Sequence, residues 1–204
     1  MKGTAALLHG RPLPAARSAT FYDVVRPAVV LGSTQRDVGV DPDRAAAAGI
    51  DVVRRRSGGG AVWLDRGEVV WADLFIPADD PLWEDDVGRT MWWAGETWAA
   101  ALAAVGVAGA AVHRGPLVTT EWSGQVCFAG LGPGEVTVAG RKAVGISQRR
   151  TRAGALFQTA CLLRWDPAPL VEWLGLTGAD LSDTAAAVER PLGDVESAFV
   201  EALP

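Results

Sequence analysis

The amino-acid sequence predicts a mixed α+β fold, a largely antiparallel sheet flanked by helices. Three observations lead there. Strand-like runs concentrate between residues 28 and 163. Helical spacing is confined to residues 85–105 and to the C-terminal stretch. The 204 residues, 49% of them hydrophobic, suffice for one large core. No repeat, low-complexity linker or composition shift divides the chain. It reads as one domain over residues 1–204, with a short helical extension from about residue 165.

Residues 1–22, with Pro12 and Pro14, read as irregular. Ala28 to Gly32 reads as a buried strand. Asp41 and Pro42 supply an N-cap and a proline at the first helical position, and Gly49 closes that short helix. Ile50 to Arg54 returns as a strand, and Ser57 to Gly60 is a turn. Ala61–Leu64 and Val69–Ile76 are expected to form a hairpin through Asp65-Arg66-Gly67. Asp85 and Asp86 open the longest helix, along which Val87, Met91, Trp98, Leu102 and Val105 recur at helical spacing up to Gly106. Residues 134–140 alternate as a strand, with Lys142 just beyond the turn at its end. Ala143–Gln148 and Ala155–Leu163 add two more strands. Asp166-Pro167 starts a helix through Leu174, and Asp194 is expected to cap a last helix ending near Leu203.

The composition excludes several function classes. A net charge of −5 gives no general footprint for nucleic acid. No apolar run approaches the length of a membrane span, and Met1 to Gly10 is a poor secretory signal. Two cysteines, Cys127 and Cys161, indicate no disulfide framework and predict a reduced, cytoplasmic setting. The positive charge is clustered nonetheless. Arg54, Arg55 and Arg56 form one knot, and Arg141, Lys142, Arg149, Arg150 and Arg152 another, a pattern that suits a small anion.

Three segments can carry chemistry. In Arg54-Arg55-Arg56-Ser57-Gly58-Gly59-Gly60-Ala61-Val62, the glycines remove every Cβ, so backbone N–H groups can approach an anion and adjacent arginines can add charge-assisted bonds. Alone, the loop fits a plain glycine turn equally well. It lacks the Gly-Lys-Ser/Thr of a phosphate-binding P-loop. The second segment is Gly140-Arg141-Lys142-Ala143-Val144-Gly145-Ile146-Ser147-Gln148. Only Lys2 and Lys142 are lysine among the 19 Lys and Arg residues, which singles out Lys142 as a position needing a compact ammonium rather than a planar fork. The third is Val126-Cys127-Phe128, where Cys127 acts as a nucleophile only if donors or positive charge favour its thiolate. His9 and His113 have no metal-site spacing, and no metal ligand set is expected.

Together, in order, these segments resemble the lipoate–protein ligase and octanoyltransferase family. The arginine loop resembles that family's Arg-Arg-x-Ser/Thr-Gly-Gly-Gly-Ala-Val. The lysine segment resembles its Gly-Arg/Lys-Lys-x-x-Gly-x-Ala-Gln, and Arg26 to Gln35 resembles its Pro…Leu-Gly…Gln strand. The resemblance covers residues 26 to 163. It implies the catalytic fold shared by biotin and lipoate ligases, and acyl chemistry on lipoyl domains of 2-oxoacid dehydrogenase E2 chains or the glycine cleavage H protein. Lys142 matches the family lysine that contacts the acyl carbonyl or adenylate. Arg54, Arg55, Ser57, Gly58, Gly59, Gly60, Ala61, Gly145 and Ser147 match the positions that bind acyl group or adenylate. In one octanoyltransferase branch a Cys-Phe pair precedes the lysine, and Cys127 stands in that register as a thioester nucleophile. This branch implies no cofactor and an acyl carrier protein as donor. The ligase branch implies ATP and Mg²⁺. Two departures stand out: the family's His-Asp appears as Leu64-Asp65, and its Gln-His-Gly-Ser/Thr-Leu as Gln158-Thr159-Ala160-Cys161-Leu162. They leave open a third reading, a non-catalytic acyl or nucleotide binder.

Overall fold

The run Val69 to Pro77 sets the centre of the molecule. It is apolar at both parities apart from Asp73, and it is buried through Ile76. A strand buried on both faces needs a cover on each side. The computed structural model, which describes residues 1–36 and 39–204, supplies both.

In chain order the elements are β1 (Lys2–Gly3), α1 (Ala5–His9), β2 (Ser18–Val24), β3 (Ala28–Leu31), α2 (Pro42–Ala47), β4 (Asp51–Arg54), β5 (Val62–Leu64), β6 (Val69–Pro77), α3 (Trp92–Ala104), β7 (Ala111–Val112), β8 (Val136–Val138), β9 (Arg141–Thr151), β10 (Gly154–Leu162), α4 (Ala168–Trp173) and α5 (Leu192–Glu201). One sheet runs β1-β2-β6-β10-β9-β8-β7, and a smaller one runs β4-β3-β5. The large sheet is antiparallel except where β1 joins β2. In the small sheet β3 lies parallel to β4 and antiparallel to β5.

Alternation assigns the faces. Val70, Ala72, Leu74 and Ile76 of β6 pack with Phe157 of β10 under Trp98, Leu102 and Phe199 of α3 and α5. Val69 and Trp71, at the other parity, meet Val30, Val62 and Leu64 of the small sheet. The outer face of that sheet, Val29 and Leu31, is covered by Leu170, Trp173 and Leu174. A cavity lies between the two sheets. The mixed, mostly antiparallel architecture is the one expected.

Four local expectations need correction. Residues 1–22 are not irregular: Thr4 caps α1 by accepting from Leu7 N, and β2 pairs with β6. Ser18–Val24 has little apolar alternation, so its strand character comes from its partner. Ala61–Leu64 and Val69–Ile76 do not form a hairpin. β5 pairs with β3, and β6 with β2 and β10, so Asp65–Glu68 carries the chain between sheets. Burial of β6 on both faces outweighs the local turn signal. Asp86 does cap a turn, accepting from Gly88 N and Arg89 N, yet α3 begins only at Trp92 after a 3-10 turn, and Val87 is 58% exposed. Asp194 lies inside the first turn of α5, which starts after Pro191. Among the described residues no helix is long and apolar enough to cross a membrane.

Candidate active site

Lys142 is aimed by a bulge. β8 and β9 pair Val136 with Val144 and Thr137 with Lys142, which leaves Ala143 as an extra residue on β9. Strict alternation would place Lys142 on the face of Val144 and Ile146, in the core under α3. The bulge resets the parity. Lys142 then shares the face of Gly145, where an added Cβ would lie 3.2 Å from Lys142 Cε. The segment after α4 returns to hold the same backbone, as Ala186 N donates to Lys142 O.

The ammonium is 5% exposed and fully engaged. Nζ lies 2.7 Å from Glu135 Oε1. It donates to Cys127 O at 2.9 Å, and its contact with Cys127 Sγ is 3.7 Å. Glu135 is held in turn by Ile146 N at 3.1 Å and Gly132 N at 2.6 Å. Burial alone favours the neutral amine. Negative charge at Cys127 and the Glu135 carboxylate outweigh it and raise the Lys142 pKa above its ordinary value. The phenyl face of Phe128, 5.1 Å away, adds a cation–π contact.

Cys127 opens a 3-10 turn, Cys127–Ala129, that is sewn to the glycine loop. Ala61 N donates to Gln125 O at 2.7 Å and Cys127 N to Ala61 O at 2.9 Å. This approach requires Gly60, since a Cβ there would fall 2.6 Å from Cys127 N. Gly59 has φ +97°, and its would-be Cβ lies 3.8 Å from Cys127 Sγ. Among the described residues the amides of Gly58, Gly59 and Gly60 donate to no acceptor.

From the sulfur, a narrow, mainly apolar cavity runs between the sheets. Cys127, Phe128, Gly145, Val62, Trp71 and His9 are among the residues that line it. A directional chain of hydrogen bonds follows it. Ser147 Oγ donates to Ser57 Oγ at 2.9 Å, and Ser57 Oγ to Gln158 Oε1 at 3.1 Å. Gln158 Nε2 then reaches His9 Nδ1 and Asp73 Oδ2, each at 3.3 Å, and Trp71 Nε1 donates to Asp73 Oδ1 at 2.8 Å. Burial pushes the Asp73 carboxyl up to about 7, against the pull of the Trp71 and Gln158 bonds.

The residues singled out in the sequence therefore converge, but not all in the expected roles. Cys127, Gly145 and Ser147 line the cavity; Lys142 and Ala61 bond to Cys127 and Ser57 to Ser147, Gly60 packs on the Cys127 backbone, and Gly58 and Gly59 are exposed at the loop. Arg55 is buried and holds the loop itself: Nη2 donates to Gly58 O at 2.6 Å and Gly60 O at 2.9 Å, and Nη1 to Val30 O at 3.3 Å. Arg54 Nη1 likewise donates to Gly32 O and Gln35 O. The second basic cluster disperses along β9, with Arg141 on Asp183 and Arg150 on the carbonyls of Glu84 and Asp85. Thr159, at a departure from the family pattern, donates to Ala72 O, and Cys161 is buried in the core with its thiol pKa raised by desolvation. Sequence reasoning assigned no role to Glu135, Asp73 or His9. A lone acid in the apolar run Val69–Pro77 was the available signal for Asp73. Nothing local marked His9.

This pairing of a large and a small sheet around a lysine site is the lipoate-ligase catalytic fold. An archaeal structure described as a bi-partite lipoate protein ligase and its E2 lipoyl domain, from Thermoplasma acidophilum, superposes with a TM-score of 0.70 at 18% identity, covering 98% of this chain and 79% of that one. Lipoate-protein ligase A bound with ATP gives 0.66 at 19% identity, covering 90% and 70%. The chain belongs to the lipoyl protein ligase A/B catalytic domain family, whose model matches residues 6–198. Octanoyltransferase LipM of Clostridioides difficile (strain 630) is 25% identical over 146 residues, covering 72% of this chain and 53% of the relative. The chain thus spans about half the length of that relative.

Proposed function

We propose that this protein transfers an octanoyl or lipoyl group to a lysine of a lipoyl domain through a thioester at Cys127. The observation that carries the reading is the 3.7 Å approach of the buried Lys142 ammonium to Cys127 Sγ at the end of an apolar cavity. The Cys127 thiolate attacks the carbonyl of a carrier thioester, the carbon–sulfur bond to the carrier breaks, and the carrier sulfur leaves as a thiolate that takes up the proton Cys127 released on ionising. The acceptor lysine's neutral amine then attacks the acyl-cysteine. An amide forms, and the amine's proton ends on the departing sulfur. In both steps the Lys142 ammonium and the free amides of Gly59 and Gly60 stabilise the oxyanion, and removing one such donor typically costs about 10²–10³ in rate. The family membership and the likeness to an octanoyltransferase support this reading. The solved pair of a ligase with an E2 lipoyl domain supports a lipoyl domain as acceptor.

The second reading is an ATP-dependent lipoate–protein ligase. It is favoured by the exposed Arg54 and Arg56 beside the glycine loop and by the likeness to an ATP-bound ligase. The fit of an adenylate phosphate and Mg²⁺ is weaker, because Arg55 and one nitrogen of Arg54 already serve backbone carbonyls. Intact-mass spectrometry separates the two. Incubation with octanoyl-carrier protein should yield an acyl adduct that disappears in Cys127→Ala, with transfer to a lipoyl domain slowed at least about 10³-fold. Unchanged transfer by Cys127→Ala, or pyrophosphate release with lipoate and ATP as a requirement for product, refutes the thioester route.

A further inference from the structure

A second cavity shares His9 and Gln158 with the one at Cys127 but none of the residues that surround the sulfur. Its volume is about 310 Å³, at the lower end of the range for small-molecule sites. Strand alternation builds its floor. Ser18, Thr20 and Tyr22 share one face of β2, and register sets Ser18 opposite Phe75 and Thr20 opposite Asp73 on β6. Arg11, just past the end of α1, and Arg56, next to Ser57 in the glycine loop, line it as well.

The charge of this cavity is positive. Arg11 and Arg56 are both exposed, and among the described residues neither pairs with an acid. Arg11 stands close to the Tyr22 phenol, whose pKa is raised by burial and then by the nearby Asp73 charge, so Tyr22 keeps its O–H at physiological pH. The Ser18 hydroxyl is buried with no partner among the described residues. Asp73 is the one acid among the lining residues. Its oxygens already accept from Trp71 and Gln158, and burial holds its pKa up at about 7, so at neutral pH it offsets only part of the two arginine charges. Two like charges brought to one cavity from distant segments repel, and an oxyanion between them removes the repulsion and fills both guanidinium forks. Leu13, Phe75 and Leu156 line the remainder, which leaves room for an apolar group beside the anion. Neither arginine belongs to the family pattern. Arg56 occupies its variable position in Arg-Arg-x-Ser/Thr, and Arg11 precedes the matching segments.

We propose that this cavity binds a small organic oxyanion, a phosphate monoester or a carboxylate carrying a short apolar group, clamped between Arg11 and Arg56. The site is separate from Cys127 and does not depend on how that residue reacts.

Calorimetry at low ionic strength, with phenyl phosphate, benzoate and benzyl alcohol at millimolar concentration, tests it. At least one of the two anions should bind, and the neutral alcohol should bind at least about ten-fold more weakly, the order expected for a charge-assisted hydrogen bond. The tighter anion identifies the oxyanion class. Arg11→Gln and Arg56→Gln, both at exposed positions, should each weaken that anion by about ten-fold or more. Arg152→Gln, at an exposed arginine in the turn between β9 and β10, should leave it unchanged. No binding of either anion overturns the proposal without any variant, as does equal binding of the alcohol. Equal weakening by all three variants shows diffuse attraction to a basic surface and overturns it too. So does binding that neither Arg11→Gln nor Arg56→Gln weakens, which places the anion elsewhere.

Discussion

Glu135 and Lys142 form a buried ion pair whose two halves depend on each other. Glu135→Gln tests it. The glutamine oxygen can still accept from Lys142 and Ile146, but its amide would face Gly132 N, a donor now 2.6 Å from Oε2. The variant therefore loses one hydrogen bond and leaves the buried ammonium with only the Cys127 sulfur, 3.7 Å away, as a possible counter-charge. Breaking a buried pair from one side costs about 3–5 kcal/mol. In a chain of 204 residues that corresponds to a fall in Tm of roughly 6–20 °C. Lys142→Met, which strands the carboxylate, should cost a similar amount. The double variant contains neither charge, so its loss should fall short of the sum of the singles by at least about 2 kcal/mol. Urea unfolding at pH 7.5 measures all three. The raised Lys142 pKa puts the pair's contribution in place below the unfolded value of 10.5 and removes it only in stronger alkali. The coupling should accordingly be constant from pH 6 to 9. Acyl transfer should stay lost in the double variant although stability returns. Additive losses, or a single-variant cost below about 1 kcal/mol, refute the assignment of Glu135 as the partner that keeps Lys142 charged.

Two further outcomes follow from the geometry. Gly60→Ala places a Cβ 2.6 Å from Cys127 N and from Val126 C, so the 3-10 turn must shift; Cys127 acylation should slow by about 10²-fold, and an unchanged rate by intact mass would contradict the close-approach argument. Asp73, with its pKa raised by burial from 3.8 to about 7, binds its proton more tightly folded than unfolded, so it lowers stability as pH rises from 4 to 7, by roughly 4 kcal/mol over the three units. Asp73→Asn should remove this slope, and a difference between wild type and variant that does not change between pH 4 and 8 in urea titrations would show that Asp73 is not the group responsible.

Much of the site was legible from local chemistry. Asp41 and Pro42 start α2, with the Asp41 side chain accepting from Asp43 N and Arg44 N, and Asp166 accepts from Ala168 N ahead of α4. Such caps act over two or three residues, so they can be read in sequence. The glycine loop, Cys127 and Lys142 were likewise recognisable as ordered segments. Their roles were less so. Arginines beside three glycines read as an anion cradle, yet Arg55 faces the loop's own carbonyls, because a buried guanidinium takes the nearest acceptors the fold offers.

Residue types, caps and strand faces are short-range properties, and the chain determined them alone. Pairing, register and proximity across long separations are not. β2 became a strand because β6 lay beside it, and the expected hairpin gave way because β6 needed cover on both faces. One extra residue, Ala143, turned Lys142 from the core toward Cys127. His9 met Gln158 across 149 residues of chain. In each case the deciding energy is burial shared between distant segments, which exists only once the chain has folded.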